Sequence, residues 1–180
     1  KKLIVGPFEV EFINLTHSIP EPNGLAISTP YGNIFHTGDW KFDDNPLVGE
    51  ASDMKKLNDF GNKGVLALIG DSTNSLTSGK SGSENDVKES LLNIISSENG
   101  KVVVSCFASN LARIKSIIDA AHKNDREVAL VGRSLWRIIN VARETGYLDN
   151  SIKLYEAEEL SSLTSKNLLY ICTGSQGEPR

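Results

Sequence analysis

The sequence lacks the patterns that mark membrane, secreted and strongly basic proteins. No apolar run approaches the roughly 18 to 20 residues of a membrane span, and no secretory signal pattern opens the chain. The formal net charge of -4 argues against indiscriminate binding of nucleic acid, which needs a basic surface, although a local basic groove is compatible with this charge. We therefore expect no membrane partner.

Cysteine is also scarce, and Cys106 and Cys172 both lie inside apolar, strand-like runs. This placement is typical of buried thiols in a reducing compartment and argues against a disulfide or a zinc knuckle. We therefore expect a cytoplasmic protein. The glycine-rich fingerprints of dinucleotide-binding and P-loop proteins are absent as well, which removes the two sharpest sequence signals for a nucleotide site.

What the chain does contain is the composition of an ordinary globular protein, since 39% of its residues are hydrophobic and 23% are charged. Its 180 residues suffice to bury a sizeable core, as one domain or as parts of two. The opening stretch KKLIVGPFEVEFINL lacks an initiator methionine and goes straight into strand-like sequence. A strand needs a neighbour, so this start predicts an internal fragment of a longer chain.

The first half of the chain has the pattern of strands joined by tight turns. FEVEFINL alternates weakly, and GLAIST and GNIFHT flank a turn at residues 30–32, which predicts a hairpin. The pattern becomes helical around residues 50–60. GVLALIGD, residues 64–71, is a short and continuously apolar run that predicts a buried strand.

From residue 76 the composition shifts to serine, glycine and threonine, and LTSGKSGSE is a candidate domain boundary. Strand and helix patterns then alternate, which predicts a parallel sheet with helices on its faces. The predicted strands are KVVVSCF, which we expect to be buried, EVALVG and NLLYICTG. The predicted helices are one that Ser83 caps, with Val87, Leu91 and Ile94 or Ile95 on one face; SNLARIKSIIDAAH, with Leu111, Ile114, Ile118 and Ala121 in register; SLWRIINVARETG; and a short one near residues 157–163.

Small polar or charged residues follow the predicted strands, at GDSTN, CFASN, VGRS and CTGSQGEP. In open parallel sheets, ligands bind beyond the carboxyl ends of the strands, where helix N-termini present free N–H groups. Ser109 can cap its helix and help to hold a phosphate, and Arg133 can pair with phosphate oxygens in a forked geometry. The structural alternative is that serine, threonine and asparagine end strands and cap helices in many proteins without binding a ligand.

His17 and Asp39 lie on either side of the predicted hairpin, and each follows an apolar run. Loop ends on neighbouring strands can lie close together, and imidazole and carboxylate are good ligands for zinc or manganese. The alternative is a histidine that is hydrogen-bonded to an aspartate in a turn. His36, at a strand end, and His122, at the end of an amphipathic helix, do not complete a site, and the chain has no H-x-H-x-D-H run. By ligand count, the chain as given cannot hold a closed dinuclear site.

Several stretches together resemble one family. THSIPEPNGLAI, HTGDWKFD, GVLALIGDSTN, SGSE, FASNLARI, VGRSLWR, GYL and TGSQGEP occur in an order and spacing that cover essentially the whole chain. They are similar to the middle of the ribonuclease J family, bacterial members of the β-CASP group of nucleases with the metallo-β-lactamase fold. The resemblance implies an α/β fold, with residues 1–75 as the C-terminal part of an αββα metallo-β-lactamase domain and residues 76–180 as part of a Rossmann-like β-CASP domain with a parallel sheet.

The resemblance also implies roles for single residues. His17 of HSIP would be a zinc ligand, and Asp39 of HTGD would bridge two metal ions. Asp71 of DSTN would orient a later histidine that acts in proton transfer. Ser109 of FASN would contact an RNA phosphate. The other phosphate contacts, carried over mainly from their positions at strand ends, are Asn110, Arg133 and Ser175.

For the full-length protein, the resemblance implies two zinc ions, with manganese or magnesium as alternatives, that lower the pKa of a bridging water and clamp the scissile phosphate. Hydroxide would attack in line, and RNA would be cut from a 5′-monophosphate end, internally, or both. The implied partners are RNA and further copies of the same chain. The missing ligands would lie before Lys1 and beyond Arg180, so we expect the chain alone to be inactive.

Three other functions fit parts of the pattern. One is a catalytically silent β-CASP homologue that binds RNA or scaffolds a degradation complex. The second is a metal-free, Rossmann-like module that binds phosphate or nucleotide, in which alanine at His17 or Asp39 would be harmless. The third is a metallo-β-lactamase-fold hydrolase that acts on a small ester, against which the β-CASP insertion argues.

Overall fold

The chain forms two units, Lys1–Ser83 (unit 1) and Glu84–Arg180 (unit 2). Their structure is a computed structural model that describes residues 2–160, 162 and 164–173. The composition shift that predicts a domain boundary between residues 75 and 76 lies a few residues before the junction of the two units. No helix within the described residues has the length and apolar character that crossing a bilayer requires.

Unit 1 is built on a five-stranded sheet in the order β1-β2-β3-β4-β5. Neighbouring strands from β1 to β4 run antiparallel, whereas β4 and β5 run parallel. The predicted hairpin is confirmed, since β3 and β4 pair across the turn at Pro30 and Tyr31. The bounds of the strands are β1, Lys2–Val5; β2, Phe8–Asn14; β3, Asn23–Thr29; β4, Gly32–His36; and β5, Ala67–Ile69.

The helix of this unit, α1 (Met54–Gly61), matches the helical pattern near residues 50–60. It begins after Asp53, whose Oδ1 accepts a hydrogen bond from the backbone N–H of Lys56 at 2.9 Å and so caps the first turn. Phe60 packs its ring against that of Phe35, with the ring centroids 6.1 Å apart. The helix and the sheet thereby share a buried cluster of Ile13, Ala26, Phe35 and Phe60.

The strand β5 is exposed, which corrects the prediction that GVLALIGD is buried. Leu68 and Ile69 are 69% and 52% exposed, and β5 forms the edge of the sheet. An open apolar groove of about 330 Å³ beside it is lined by Phe35, Leu57, Phe60, Gly61, Val65 and Leu68. A continuous apolar run therefore identified a strand correctly, but it did not report what packs on that strand.

Unit 2 has the predicted α/β architecture with a parallel sheet. The strand order is β6-β9-β7-β8, and all three pairings are parallel. Because β9 returns between β6 and β7, the carboxyl ends of these three strands lie side by side. In chain order, the described elements are α2, Glu84–Ser97; β6, Val102–Ser105; α3, Leu111–His122; β7, Glu127–Val131; α4, Arg133–Glu144; β8, Tyr155–Glu156; a 3₁₀ helix, Ser165–Asn167; and β9, Leu168–Cys172.

The helices of unit 2 bury the faces that their periodicity predicts. The four predicted positions of α3 are all buried, namely Leu111, Ile114, Ile118 and Ala121. On α4, Leu135, Ile139 and Ala142 recur at about one helical turn and are also buried. On α2, Ile95 is 1% exposed whereas Ile94 is 58% exposed, so Ile95 is the one that faces inward.

Two predictions for unit 2 are wrong. The strand β6 lies at the edge of its sheet, and Val103 is 61% exposed instead of buried. The short helix predicted near residues 157–163 is a turn over residues 157–160, and residues 161 and 163 lie outside the described ones. The Glu159 N–H and carboxylate both bond to the backbone of Glu156, at 3.1 and 2.7 Å, which closes a turn instead of a helix.

A buried arginine holds the segments where strands of unit 2 begin. Arg126 is only 3% exposed, and its guanidinium donates hydrogen bonds to the backbone carbonyls of Glu98, Gly100 and Leu168. Glu98 and Gly100 lie between α2 and β6, and Leu168 opens β9. The backbone dipoles compensate the buried charge, which would otherwise be costly.

Candidate functional site

Three residues that the resemblance singles out follow strands of unit 1 that run in the same direction. His17 follows β2, Asp39 follows β4, and Asp71 follows β5. Because β3 is antiparallel to both β2 and β4, while β4 and β5 are parallel, the carboxyl ends of β2, β4 and β5 lie at one edge of the sheet. The topology therefore brings His17, Asp39 and Asp71 to the same edge.

A backbone bridge joins the His17 loop to the Asp39 loop. Thr16 and Lys41 form an isolated antiparallel bridge, in which the Lys41 N–H donates to the Thr16 carbonyl at 2.9 Å. Thr16 is buried, at 3% exposure. The residue before His17 is thus fixed beside the second residue after Asp39.

A threonine joins the end of β4 to the end of β5. The Thr37 N–H donates to the Ile69 carbonyl at 2.9 Å, and the Thr37 hydroxyl accepts a hydrogen bond from the Asp71 N–H at 3.1 Å. The same hydroxyl donates to the Gly38 carbonyl at 2.6 Å. The buried Thr37 hydroxyl therefore joins the backbone that follows β4 to the backbone that follows β5.

His17 is half-buried, and its Nδ1 lies 3.0 Å from the hydroxyl oxygen of Ser18. With its proton on Nδ1 and donated to Ser18, the ring keeps the lone pair of Nε2 available for a metal ion. Metal-ligating histidines are commonly oriented by such a bond from the second ring nitrogen. The local geometry therefore fits a ligand histidine.

Asp39 is exposed, and none of the residues that the structure describes donates a hydrogen bond to its carboxylate. Imidazole nitrogen and carboxylate oxygen form a donor set that zinc and manganese accept, so His17 and Asp39 fit a metal ion as two of its ligands. Between residues 2 and 173, leaving aside residues 161 and 163, no group of three or more His, Cys, Asp or Glu side chains is placed to hold a metal.

Asp71 is an exposed carboxylate whose ionised form is stabilised by its own turn. The hydroxyl and the N–H of Thr73 donate to its Oδ1 at 2.6 and 2.9 Å. These two bonds lower the pKa of Asp71 below its ordinary value, with smaller contributions from the nearby His17 ring and the Trp40 N–H. Asp71 is therefore ionised at neutral pH and acts there as a hydrogen-bond acceptor.

The other two histidines have ordinary structural surroundings. His36 accepts a hydrogen bond at Nδ1 from the Gly38 N–H at 3.1 Å. His122 is exposed at the end of α3, where a positive charge interacts favourably with the helix dipole. Neither residue extends the pair formed by His17 and Asp39.

In unit 2, the predicted phosphate contacts follow the carboxyl ends of the parallel strands. Cys172 of β9 pairs with Ser105 of β6 on one side and with Val131 of β7 on the other. Gly132, the next residue after β7, has a φ of 124°, and a Cβ at this position would lie 3.3 Å from Cγ2 of Thr173. The positive φ and the short distance to Thr173 both favour glycine at this position between β7 and α4.

The side chains at this edge have different functions in the fold. Asn110 caps α3, since its Oδ1 accepts a hydrogen bond from the Arg113 N–H at 2.9 Å, which corrects the prediction that Ser109 is the cap. Ser109 and Arg133 are exposed, so both side chains can reach a ligand. Ser175 lies outside the described residues.

Both cysteines are free thiols, as the sequence predicts. Cys106 is buried and Cys172 is half-buried, and the Cys106 N–H donates to the Cys172 carbonyl at 3.1 Å. Burial raises the pKa of the Cys106 thiol, while the nearby Arg113 guanidinium opposes part of this effect. A buried, protonated thiol of this kind is a packing group and not a nucleophile.

A buried polar cluster that the sequence does not predict lies beside the His17 and Asp39 loops. Asp43 is only 6% exposed, whereas the neighbouring Asp44 is exposed. Both are acidic residues in a loop, where solvation is the usual state, so no sequence signal distinguishes them. The cluster consists of Thr16, Lys41, Asp43, Ser52 and Ser83.

Several proteins named Ribonuclease J are similar to this chain in sequence. Proteins named Ribonuclease J from Sinorhizobium meliloti, Thermus thermophilus and Corynebacterium glutamicum are 44%, 42% and 40% identical to it. These alignments cover 99%, 96% and 97% of this chain but 32%, 30% and 24% of the three relatives. The chain therefore spans about a third or less of the length of these relatives.

A solved structure has the same fold. The crystal structure of a protein of unknown function from Enterococcus faecalis V583 matches with a TM-score of 0.64 and 18% identity, over 98% of this chain and 44% of that one. At this identity the match shows likeness of fold alone. Residues 99–180 match the family model described as "Ribonuclease J, beta-CASP domain". The chain belongs to the ribonuclease J family, and residues 99–180 carry its β-CASP domain.

Proposed function

We propose that the full-length protein is a metal-dependent ribonuclease that hydrolyses phosphodiester bonds of RNA, from a 5′ end, internally, or both. The observation that carries this proposal is the convergence of His17, Asp39 and Asp71 at one edge of the sheet of unit 1. Unit 1 would be the partial metallo-β-lactamase domain and unit 2 the partial β-CASP domain. The relatives are ribonucleases by name, which supports RNA as the substrate.

The metal ligands contributed by this chain would be Nε2 of His17 and the carboxylate of Asp39. Bound zinc, or manganese or magnesium in its place, would supply charge neutralisation for the scissile phosphate and a more acidic water. Ser18 supports this role because it fixes the His17 ring through Nδ1. The exposed carboxylate of Asp39 needs no rearrangement of other described residues to become a ligand.

Asp71 would hold a proton-transferring group in place. Its lowered pKa keeps it ionised at neutral pH, so it can accept a hydrogen bond from an imidazole N–H but cannot act as a general acid there. Thr73 donates two hydrogen bonds to Oδ1, which fixes the orientation of the carboxylate. Asp71 thus orients and does not itself transfer the proton.

Unit 2 would bind the RNA backbone at the carboxyl edge of its sheet. The exposed Ser109 hydroxyl and the exposed Arg133 guanidinium can donate to phosphate oxygens, and Asn110 would contribute by holding the first turn of α3. Such a local site is compatible with the overall net charge of -4. The free thiols support a cytoplasmic, reducing environment, and self-association of the full-length protein belongs to the same proposal.

A catalytically silent homologue that binds RNA is the second candidate function. It is favoured by the exposed side chains of Ser109 and Arg133, which can bind phosphate without a metal ion. In that case the carboxyl edge of unit 2 would still bind phosphate. The two functions therefore differ in the consequence of changing Asp39 and agree in the consequence of changing Ser109.

The test uses the full-length protein, purified with its bound metal, and a 5′-monophosphorylated RNA. Wild type, Asp39→Ala and a matched control, Asp44→Ala, are compared for RNA degradation and for metal content by elemental analysis. Asp44 is an exposed aspartate in the same loop region, so its change tests for nonspecific loss of charge. We expect Asp39→Ala alone to lose both metal and degradation.

Equal rates for wild type and Asp39→Ala would remove Asp39 from the mechanism. If wild type and both variants bind RNA but none of them degrades it, the silent homologue is favoured. A parallel pair, His17→Ala and His122→Ala, asks the same question of the imidazole ligand, with an exposed helix-end histidine as the control.

A further inference from the structure

Asp43 is a buried carboxylate for which the proposed chemistry has no use. Its side chain is 2% exposed, in a loop where neighbouring acidic residues are solvated. Transfer of an ionised carboxylate out of water is costly unless charges and hydrogen bonds compensate it. The groups that offset the cost of burying the Asp43 carboxylate therefore identify the segments that it connects.

The Asp43 carboxylate contacts two residues of its own loop and one residue that is distant in the sequence. Oδ1 accepts hydrogen bonds from the Asn45 N–H at 3.0 Å and from the Ser83 hydroxyl at 2.9 Å. Oδ2 lies 3.6 Å from the ammonium nitrogen of Lys41. The Lys41 ammonium in turn donates to the Gly82 carbonyl at 3.3 Å. The carboxylate thus fixes the residues that follow Asp39 against the end of unit 1.

The hydroxyl of Thr16 connects this carboxylate loop to the His17 loop. It donates to the Lys41 carbonyl and accepts from the Asp43 N–H at 3.1 Å. Since its single proton is used on Lys41, the Ser52 hydroxyl 3.1 Å away must be the donor of their shared bond. The Thr16 hydroxyl therefore donates one hydrogen bond and accepts two, and a side chain without it would remove one partner from each of three polar groups.

Residues of this cluster lie close to both His17 and Asp39 in the sequence. Thr16 directly precedes His17, and Lys41 stands two residues after Asp39. The cluster supplies side-chain bonds at the point where the backbone bridge between Thr16 and Lys41 already joins the loops. The cluster and the bridge therefore hold together the two loops that carry His17 and Asp39.

We propose that Asp43 and Thr16 are positioning residues that hold His17 and Asp39 at the separation needed to share a metal site. This inference rests on the proposed function, because it assumes that the pair binds metal. The side chains of Asp43 and Thr16 are engaged with other members of the cluster. Their effect is on how well the two ligands are organised before the metal arrives, as supporting residues around metal ligands are known to act.

The test compares four variants of the full-length protein: Asp43→Asn, Thr16→Val, Thr16→Ser and the core control Ile13→Val. The Thr16 pair separates shape from hydrogen bonding, because valine keeps the shape and serine keeps the hydroxyl. Ile13 is a buried residue of the sheet and has no polar group, so its change lowers stability without touching the cluster. Metal affinity is measured by competition with a chromophoric zinc chelator, beside kcat and KM for RNA.

We expect Asp43→Asn and Thr16→Val to weaken zinc binding by about 10-fold to 100-fold and to lower kcat with little change in KM. Thr16→Ser and Ile13→Val should stay close to wild type in zinc affinity, whatever their melting temperatures. If Asp43→Asn and Thr16→Val lower the melting temperature but leave zinc affinity at the level of Ile13→Val, the cluster is merely structural and the inference is overturned.

Amide hydrogen exchange keeps this inference separable from the proposed function. The metal-free proteins are compared for exchange at residues 17–18 and 38–41. Faster exchange at both segments in Asp43→Asn, but not in Ile13→Val, supports the positioning role even if wild type proves to bind no zinc. Unchanged exchange at both segments overturns it, whereas loss of zinc binding in wild type alone overturns only the proposed metal site.

Discussion

The hydroxyl oxygen of Ser18 lies 3.0 Å from Nδ1 of His17, the residue directly before it. The bond orients the ring in either tautomer, and in the tautomer with the proton on Nδ1 it leaves Nε2 free as a ligand. We predict that Ser18→Ala in the full-length protein weakens zinc binding by about 10-fold, since the ring loses the group that orients it. Chelator competition at constant pH measures this change.

A serine in the same sheet provides the control for this prediction. Ser28 donates to the Asn33 side chain at 2.8 Å on the hairpin of β3 and β4, away from the loop that carries His17. Ser28→Ala should leave zinc affinity unchanged. Equal affinities for wild type and Ser18→Ala would mean that backbone packing alone orients the ring.

Ser109 and Asn110 are neighbours at the start of α3, and their exposures and bonds predict opposite phenotypes. Asn110→Ala removes the cap on the Arg113 N–H and should lower stability by about 1 kcal/mol. Ser109 is exposed and is not the cap, so Ser109→Ala should change stability by less than about 0.5 kcal/mol. We predict that only Ser109→Ala weakens RNA binding while leaving stability intact.

This pair is checked by thermal unfolding and by titration with a short 5′-monophosphorylated RNA at fixed salt. A lower melting temperature for Ser109→Ala than for Asn110→Ala would contradict the cap assignment. Unchanged RNA affinity for Ser109→Ala would remove its hydroxyl from the phosphate site.

Arg126 makes a strong prediction for stability. Its buried guanidinium donates to three backbone carbonyls, so Arg126→Met removes the hydrogen bonds that hold the segment before β6 and the start of β9. We expect the free energy of opening of β7 and β9, measured by native-state hydrogen exchange, to fall by about 3 kcal/mol. Arg137→Met, at an exposed position of α4, should change it by less than about 0.5 kcal/mol. Similar free energies of opening for Arg126→Met and Arg137→Met would contradict this role of Arg126.

The raised pKa of Cys106 predicts how stability depends on alkaline pH. Burial keeps the folded thiol protonated above its ordinary pKa of 9.0, so the unfolded thiol ionises first. The stability linked to this thiol is complete below pH 9.0 and is lost as the pH rises through the folded pKa. Melting temperatures of wild type should therefore fall more steeply between pH 8 and pH 10 than those of Cys106→Ala. Parallel slopes for the two proteins would contradict the raised pKa.

Local pattern was sufficient for much of the fold. The hairpin of β3 and β4 has its turn signal and both strands within a short stretch, and α3 repeats apolar residues at one helical turn, so neighbours in the sequence carry the information. The same holds for the alternation that predicts the parallel sheet of unit 2. Motif order indicated the family, because it depends on residue identity and spacing alone.

Burial and capping were less accessible to pattern. Two apolar runs predicted as buried strands are the edge strands β5 and β6, because apolar sequence does not state which element packs on it. Ser109 and Asn110 are both good capping residues, and only the backbone conformation places Asn110 at the capping position. Asp43 and Asp44 differ in burial although they are adjacent and chemically identical.

The candidate site divides in the same way. Its residue types, an imidazole at His17 and a carboxylate at Asp39, indicated metal binding as one of two interpretations, and the role of Asp71 in proton transfer came from the family resemblance. Their convergence depends on β2, β4 and β5 running in one direction, with β3 between the first two. Strand pairing joins residues that are distant in sequence, and the buried carboxylate of Asp43 is stable only where Lys41, Asn45 and Ser83 meet. Such arrangements exist only in the folded chain, since the Ser83 hydroxyl and the strands β2, β4 and β5 are brought together from distant parts of the sequence.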